Sequence, residues 1–212
     1  MSSPWADNTL GEDIDMAKRL AIVLTEGYAD WECGLLMATA RGDCGAETVV
    51  LTPGGAEVTS LGGVSIRSAG RAEDAAPGDF DVLVLCGGTI WQSGEAPDLS
   101  APVARFVSAG KPVAAICDAT LALGRLGLLD DRAHTGNYRG QLPQVVPGYR
   151  GAALYRDQPQ AVSDRAVITA SGTAPVSFTR EILDAIGLGS ADLFDYLALY
   201  GDEHRKAPGV TA

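Results

Sequence analysis

The stretch "AAICDAT", residues 114–120, sets one cysteine at the end of an apolar run and at the start of a helix-like pattern. Cys117 has Ala115 two residues before it and Ala119 two residues after. Small residues at those positions are what the sharp strand-to-helix turn of a nucleophile elbow requires, because bulk would collide as the backbone doubles back. Such a turn sets the sulfur beside a helix N-terminus, whose unpaired N–H groups favour thiolate. Thiolate is the form that attacks electrophiles and the form that oxidises. Free cysteine is also among the most buried residue types, so locally the same letters describe an inert core thiol.

Other stretches offer it partners. In "LCGGTIW" (85–91), Gly87 and Gly88 let a backbone N–H approach a ligand closely, as an oxyanion hole needs, though a plain Gly-Gly turn has the same letters. In "EGYADWE" (26–32), Glu32 is a carboxyl that, held neutral by burial, would donate a hydrogen bond to sulfur. The alternative is local: Asp30 caps a helix and Glu32 sits in its first turn, where acidic groups favour the dipole. In "DDRAHTGNY" (130–138), His134 is the histidine outside the charged C-terminal stretch "GDEHRK", where His204 reads as solvated. If Cys117 is a nucleophile, His134 is the base with a pKa near neutral. Trp91 and Tyr138 are candidates to wall a pocket, and equally candidates for packing.

These residues need a scaffold to bring them together. Four short apolar runs, "RLAIVLTE" (19–26), "ETVVLT" (47–52), "DVLVLCGG" (81–88) and "PVAAICDA" (112–119), do not alternate with polar residues. Strands covered on both faces read this way, as in a parallel sheet. Helical patterns lie between them at 30–42, 99–110 and 119–129, and the alternation predicts right-handed βαβ units in a doubly wound α/β sheet with helices on both faces. Residues 55–69 predict a small β-hairpin extension. A further strand is predicted at 165–172, followed by helices at 175–187 and 191–204. In open parallel sheets ligands sit at the carboxyl ends of the strands, and the three unusual stretches all fall at such ends.

The composition suits one domain, predicted over 18–204, with flexible tails at 1–17 and 205–212. The chain has 212 residues, 46% of them hydrophobic, enough for a substantial core. A formal net charge of −11, with no Lys/Arg stripe, argues against nucleic acid as a partner. No apolar run reaches about 18 residues, so a membrane span is not expected. The acidic, polar start does not read as a signal peptide. Four scattered cysteines without CxxC spacing and only two histidines give no basis for a metal site, and a reducing cytoplasm is the expected compartment. No cofactor is expected.

Taken together, the motifs resemble the ThiJ/PfpI superfamily, the flavodoxin-like, class I glutamine amidotransferase-like group that includes the parkinsonism-associated deglycase and PfpI-type intracellular proteases. The likeness covers roughly residues 18–190. "EGYADWE" resembles the loop carrying the family's glutamate, "VLCGG" its "PGG" turn with Cys86 in place of proline, and "AAICDAT" its "AICxGP" elbow. "TASGTAPVSFTREIL" (169–183) resembles its late Ser/Gly strand end and following helix. The resemblance implies a strained, low-pKa nucleophile at Cys117 against the Glu32 carboxyl, with backbone N–H groups of Gly88 and Asp118 as oxyanion donors. It also implies a homodimer and, from members written "HTSN", His134 as a further partner.

Two departures bear on activity. Protease-like members have histidine directly after the nucleophile, where this chain has Asp118, and Ala119-Thr120 replaces Gly-Pro. Losing the adjacent base argues against peptidase activity, and an inward-facing Asp118 would oppose thiolate formation. The expected function is a cysteine-dependent hydrolase or lyase of amidase, glyoxalase/deglycase or hydratase type, acting on a small carbonyl, amide or nitrile-like substrate. The alternative is a redox-sensing stress protein whose Cys117 oxidises to sulfinate. A binding module like those fused to transcription regulators ranks last, since no basic face is present.

Overall fold

The computed structural model describes residues 17–202, so the predicted tails (Ala17 apart) and His204 lie outside the described residues. Six strands form one sheet: β1 (Arg19–Val23), β2 (Glu47–Leu51), β5 (Val82–Leu85), β6 (Val113–Ile116), β7 (Val162–Asp164) and β8 (Val167–Ala170). Their order is β2-β1-β5-β6-β8-β7, parallel throughout except for the antiparallel edge pair β7–β8. The order reverses between β1 and β5, which makes the crevice beyond their carboxyl ends the natural ligand site.

The unbroken apolar runs follow from burial on both faces. Leu20, Ile22, Val82, Val84, Ala114 and Ile116 face α1 (Asp30–Gly42) and α5 (Pro175–Ala185), through Leu36, Ala40, Phe178 and Ile182. The alternate residues Ala21, Val23, Leu83, Leu85, Val113 and Ala115 face α2 (Ser100–Ser108) and α3 (Thr120–Arg125), through Val103, Phe106, Leu121 and Leu123. A last helix, α6 (Ala191–Asp202), packs on α5.

Several predicted boundaries change. The helix expected over 119–129 is only α3, entered through a 3₁₀ turn at Cys117–Ala119 and left at Gly127, whose φ of 70° breaks it. The strand expected over 165–172 is β8, shorter than expected at Val167–Ala170 and preceded by β7, because Arg165 and Ala166 take φ of 47° and 62° and turn β7 back onto it. A further short helix, α4 (Gln141–Val145), lies in the stretch that reads as loop, masked by Pro143. The predicted extension is a two-stranded ribbon, β3 (Val58–Thr59) with β4 (Ser65–Ile66).

That ribbon holds the loop after β1. Gly27 N–H donates to Thr59 O at 2.8 Å, and Leu61 N–H donates to Tyr28 O at 2.9 Å. Asp30 does not cap α1 as expected; Ala29 stands at the cap and the Asp30 carboxylate accepts the Gly62 N–H of the ribbon at 2.9 Å. Glu32 therefore enters the sheet edge on a backbone tied from both sides.

Leu36 is the fully buried residue through which α1, and so Glu32, is seated on the sheet. Leu36→Ala is expected to destabilise the fold by about 2–5 kcal/mol. Urea denaturation would read this as a lower midpoint at unchanged slope.

Candidate functional site

At the end of β6 the chain turns abruptly. Cys117 has φ of 59°, in the left-handed region that side chains avoid, so its backbone carries strain of order 1–3 kcal/mol. The Thr120 hydroxyl donates to Cys117 O at 2.7 Å and pins the turn from within. The helix beyond is only six residues long, so its dipole lends the sulfur little of the help expected from a long one.

Glu32, in the first turn of α1, is fully buried rather than solvated. Its carboxyl group lies between Gly87, after β5, and Gly172, after β8, against Cys117. A Cβ at Gly172 would sit 2.7 Å from Glu32 Oε1 and 2.9 Å from Cys117 Sγ, and one at Gly87 would overlap Glu32 Oε2. Both positions must be glycine for thiol and carboxyl to meet. The Gly87 N–H and the Cys117 thiol lie close enough to favour the carboxylate, yet neither is aligned for a full hydrogen bond.

Burial is the largest influence on Glu32 and raises its pKa to about 7. The Cys117 thiol is pushed up to about 12, first by burial, then by the negative charge of Glu32, with Asp118 adding to it. Burial, and the nearby carboxyls when they are ionised, favour the protonated thiol, in the opposite direction to the low pKa that the resemblance implies. The pair titrates as a unit. Protonating Glu32 removes the opposing charge and supplies an O–H that can donate to sulfur.

The backbone N–H groups of Gly88 and Asp118 are not taken up by the pairing and the turn they sit in. Ala29 N–H donates to Gly87 O at 3.0 Å and Thr89 N–H to Gly27 O at 3.4 Å, a pairing that turns the Gly88 N–H away from Tyr28. Asp118 is the second residue of the 3₁₀ turn, where an N–H has no partner within the turn. Cys86, which replaces proline, donates its thiol to Ala29 O at 3.6 Å. Hydrogen bonding with Cys33 and burial hold that thiol protonated.

His134 is not brought to the thiol. Its Nδ1 lies 2.7 Å from Arg132 O and its Nε2 2.7 Å from the Tyr149 hydroxyl. The carbonyl requires Nδ1–H, leaving Nε2 to accept from Tyr149. Both nitrogens are engaged and burial lowers the pKa, so His134 is a structural residue between Tyr149 and Tyr155. Trp91 is likewise core: it is fully buried and its indole N–H donates to Cys86 O at 2.9 Å. Tyr138 is about half exposed and lies outside the cleft described below.

Two residues not anticipated as site residues, Asn137 and Gly172, take their place. Asn137 Nδ2 donates to Cys117 Sγ at 3.3 Å. Gly172 admits the carboxyl, and its carbonyl accepts the Trp31 indole N–H at 2.9 Å, which anchors the loop after β8. Asn137 also borders a cleft of about 240 Å³ with Gly136, Tyr155, Gln158, Ser171 and Thr173. A larger cavity of about 400 Å³, between Pro97, Asp98 and Arg125, holds none of these groups.

A strained cysteine after the fourth parallel strand, with a buried glutamate and a Gly-Gly turn beside it, defines a class of α/β protein built around one thiol. The chain belongs to the DJ-1/PfpI family, whose model matches residues 18–185. It is 34% identical over 186 residues to the uncharacterized protease YoaZ of Bacillus subtilis, covering 82% of this chain and 86% of that one. To the uncharacterized protease YdeA of the same organism it is 35% identical over 195 residues, covering 89% and 94%. The crystal structure of the DJ-1 superfamily protein Atu0886 from Agrobacterium tumefaciens superposes with a TM-score of 0.85 at 46% identity, over 89% of this chain and 100% of that one.

The raised Glu32 pKa has a sign that can be tested. The folded state keeps the proton to about pH 7, while the unfolded chain releases it near 4.5, so stability falls as pH rises between those values and is level above. Relative to Glu32→Gln, which cannot ionise, the wild type is expected to lose roughly 3 kcal/mol across that window. Denaturant titrations of both proteins at several pH values would measure it.

Proposed function

We propose that the protein is a cysteine-dependent hydrolase or lyase acting on a small carbonyl, amide or nitrile-like substrate, with Cys117 as nucleophile. The observation that carries this is the buried Glu32 carboxyl, with a pKa raised to about 7, set against a thiol on a strained turn. Cys117 Sγ attacks the electrophilic carbon while its proton passes to the Glu32 carboxylate, so the strongly held thiol proton never has to enter water. The displaced electron pair moves to the substrate oxygen or nitrogen, where the N–H groups of Gly88 and Asp118 receive it. With an amide, Glu32 gives that proton to the departing amine, and water then attacks the thioester carbon, breaking the S–C bond, releasing the acid and restoring the Cys117 thiol.

The cleft supports a small, polar substrate. It adjoins the thiol through Asn137, its volume of about 240 Å³ is below the range of drug-sized pockets, and Asp157, Gln158, Ser171 and Thr173 line it with polar groups. That favours small-molecule chemistry over peptide cleavage, in contrast to the protease names of the relatives. The proposal includes a homodimer, supported by the exposed apolar side chains of Trp31, Leu61 and Val64 on and beside the ribbon. A monomeric mass in light scattering would overturn that part.

Wild type and Cys117→Ala would be compared on methylglyoxal, glutamine and an isonitrile. Turnover of at least one substrate by the wild type is expected, falling at least 10²-fold in the variant; equal rates on all three would remove these substrates.

A second reading rests on the same unaligned Glu32 oxygens, which when protonated can donate to an oxidised sulfur. It expects peroxide to add oxygen to Cys117 before the other thiols, as read by peptide mass. Earlier oxidation elsewhere would end it.

A further inference from the structure

Asp118, directly after Cys117, is buried, and its carboxylate is held away from water by neighbouring side chains. It gathers three side-chain amides. Gln92 Nε2 donates to Oδ2 at 2.7 Å, Asn137 Nδ2 donates to Oδ1 at 2.9 Å, and Gln141 Nε2 donates to Oδ1 as well. These donors come from three separate segments: the turn after β5, the loop before α4, and α4 itself.

Asn137 is the member of this set that reaches the reacting atom. Its Oδ1 accepts the Gly172 N–H at 3.0 Å, and only an oxygen can accept there, so the other end of the amide is fixed as the donor. The two Nδ2 hydrogens then go one to Asp118 Oδ1 and one to Cys117 Sγ. An amide clamped at both ends cannot rotate away from the sulfur, and a hydrogen bond to a charged acceptor is stronger than one between neutral groups.

We propose that Asn137 is a catalytic residue that donates to the Cys117 thiolate, and that Asp118 is a positioning residue that aims it. The aspartate after the nucleophile thereby acts through its neighbour. Its negative charge opposes the thiolate directly, and its grip on Asn137 offsets that opposition by holding a donor on the sulfur. This deepens the proposed function and rests on Cys117 being the nucleophile of that site.

The groups that face the sulfur are Glu32 from α1, Asp118 from its own turn, Cys86 from the end of β5 and Asn137. The test is the rate of alkylation of Cys117 by iodoacetamide, followed by peptide mass from about pH 6 to pH 10, on the full chain. It would compare wild type, Asn137→Ala, Asn137→Leu, Asp118→Ala and the Asp118→Ala/Asn137→Ala double variant. Both Asn137 variants are expected to shift the profile up by about one pH unit, a roughly tenfold lower rate below the inflection. Asp118→Ala is expected to speed alkylation when Asn137 is absent, because a charge is removed. It is expected to give less gain, or a loss, when Asn137 is present and released. Equal effects of Asp118→Ala in both backgrounds, or unchanged profiles for the Asn137 variants, would overturn the proposal. Should Asp118→Ala fail to fold, the two Asn137 variants decide it alone. Alkylation needs no substrate, so a wild-type Cys117 that never reacts ahead of Cys44 would count against the nucleophile itself. A reactive Cys117 indifferent to Asn137 would count against this inference only.

Discussion

The Glu32 carboxyl is buried with no well-aligned donor for either oxygen, and a carboxylate so placed is costly. Keeping its proton into the neutral range is how the fold tolerates it. Much of the site follows from accommodating that group. Gly87 and Gly172 lack side chains because the carboxyl and the thiol fill the space. The ribbon and its bonds to Gly27, Tyr28 and Asp30 exist on the one loop that could let Glu32 swing back to water. The same burial links the two titrations, so neither Glu32 nor Cys117 has a protonation state independent of the other.

A second acidic group within reach of the same sulfur would be unfavourable without partners. Asp118 meets that requirement through amides alone, which donate hydrogen bonds and add no charge. A lysine or arginine there would have neutralised it, and with it the field that the thiol experiences. The arrangement leaves the site acidic, with neutral amide dipoles as the partners of Asp118. It suits an electrophile that brings no negative charge of its own.

Much of this was legible in the sequence, and the omissions share a cause. Strands buried on both faces carry unbroken apolar runs, so β1, β5 and β6 can be read directly, the partly exposed edge strand β2 keeps the same apolar run, and the ligand crevice follows from their order. Three-residue β7 is too short to show a pattern, and its turn depends on positive φ at Arg165 and Ala166, which the letters do not advertise. In the site, Cys117, Glu32 and Gly87 converge because each ends a strand or begins the helix after it. His134 drew notice because imidazole titrates near neutrality, and Asn137, three residues on, did not because an amide does not titrate. The signal for Asn137 lay in Asp118, since a buried carboxylate must find donors. Trp91 has the look of a pocket wall in the sequence, but the Cys86 carbonyl gives its N–H a partner in the core.

The left-handed backbone at Cys117 also limits how the sulfur can travel. With φ fixed at 59° and the following turn pinned by Thr120, the thiol moves only by rotation about its own Cα–Cβ bond. Its reach is an arc, flanked by a carboxyl and an amide. A sulfur confined in this way cannot pursue an electrophile across a cleft. On the proposed function, selection among substrates falls to the walls that deliver a carbon atom to that arc, and the loops at Gly136 and Ser171–Thr173, which meet at Asn137, are the walls nearest to it.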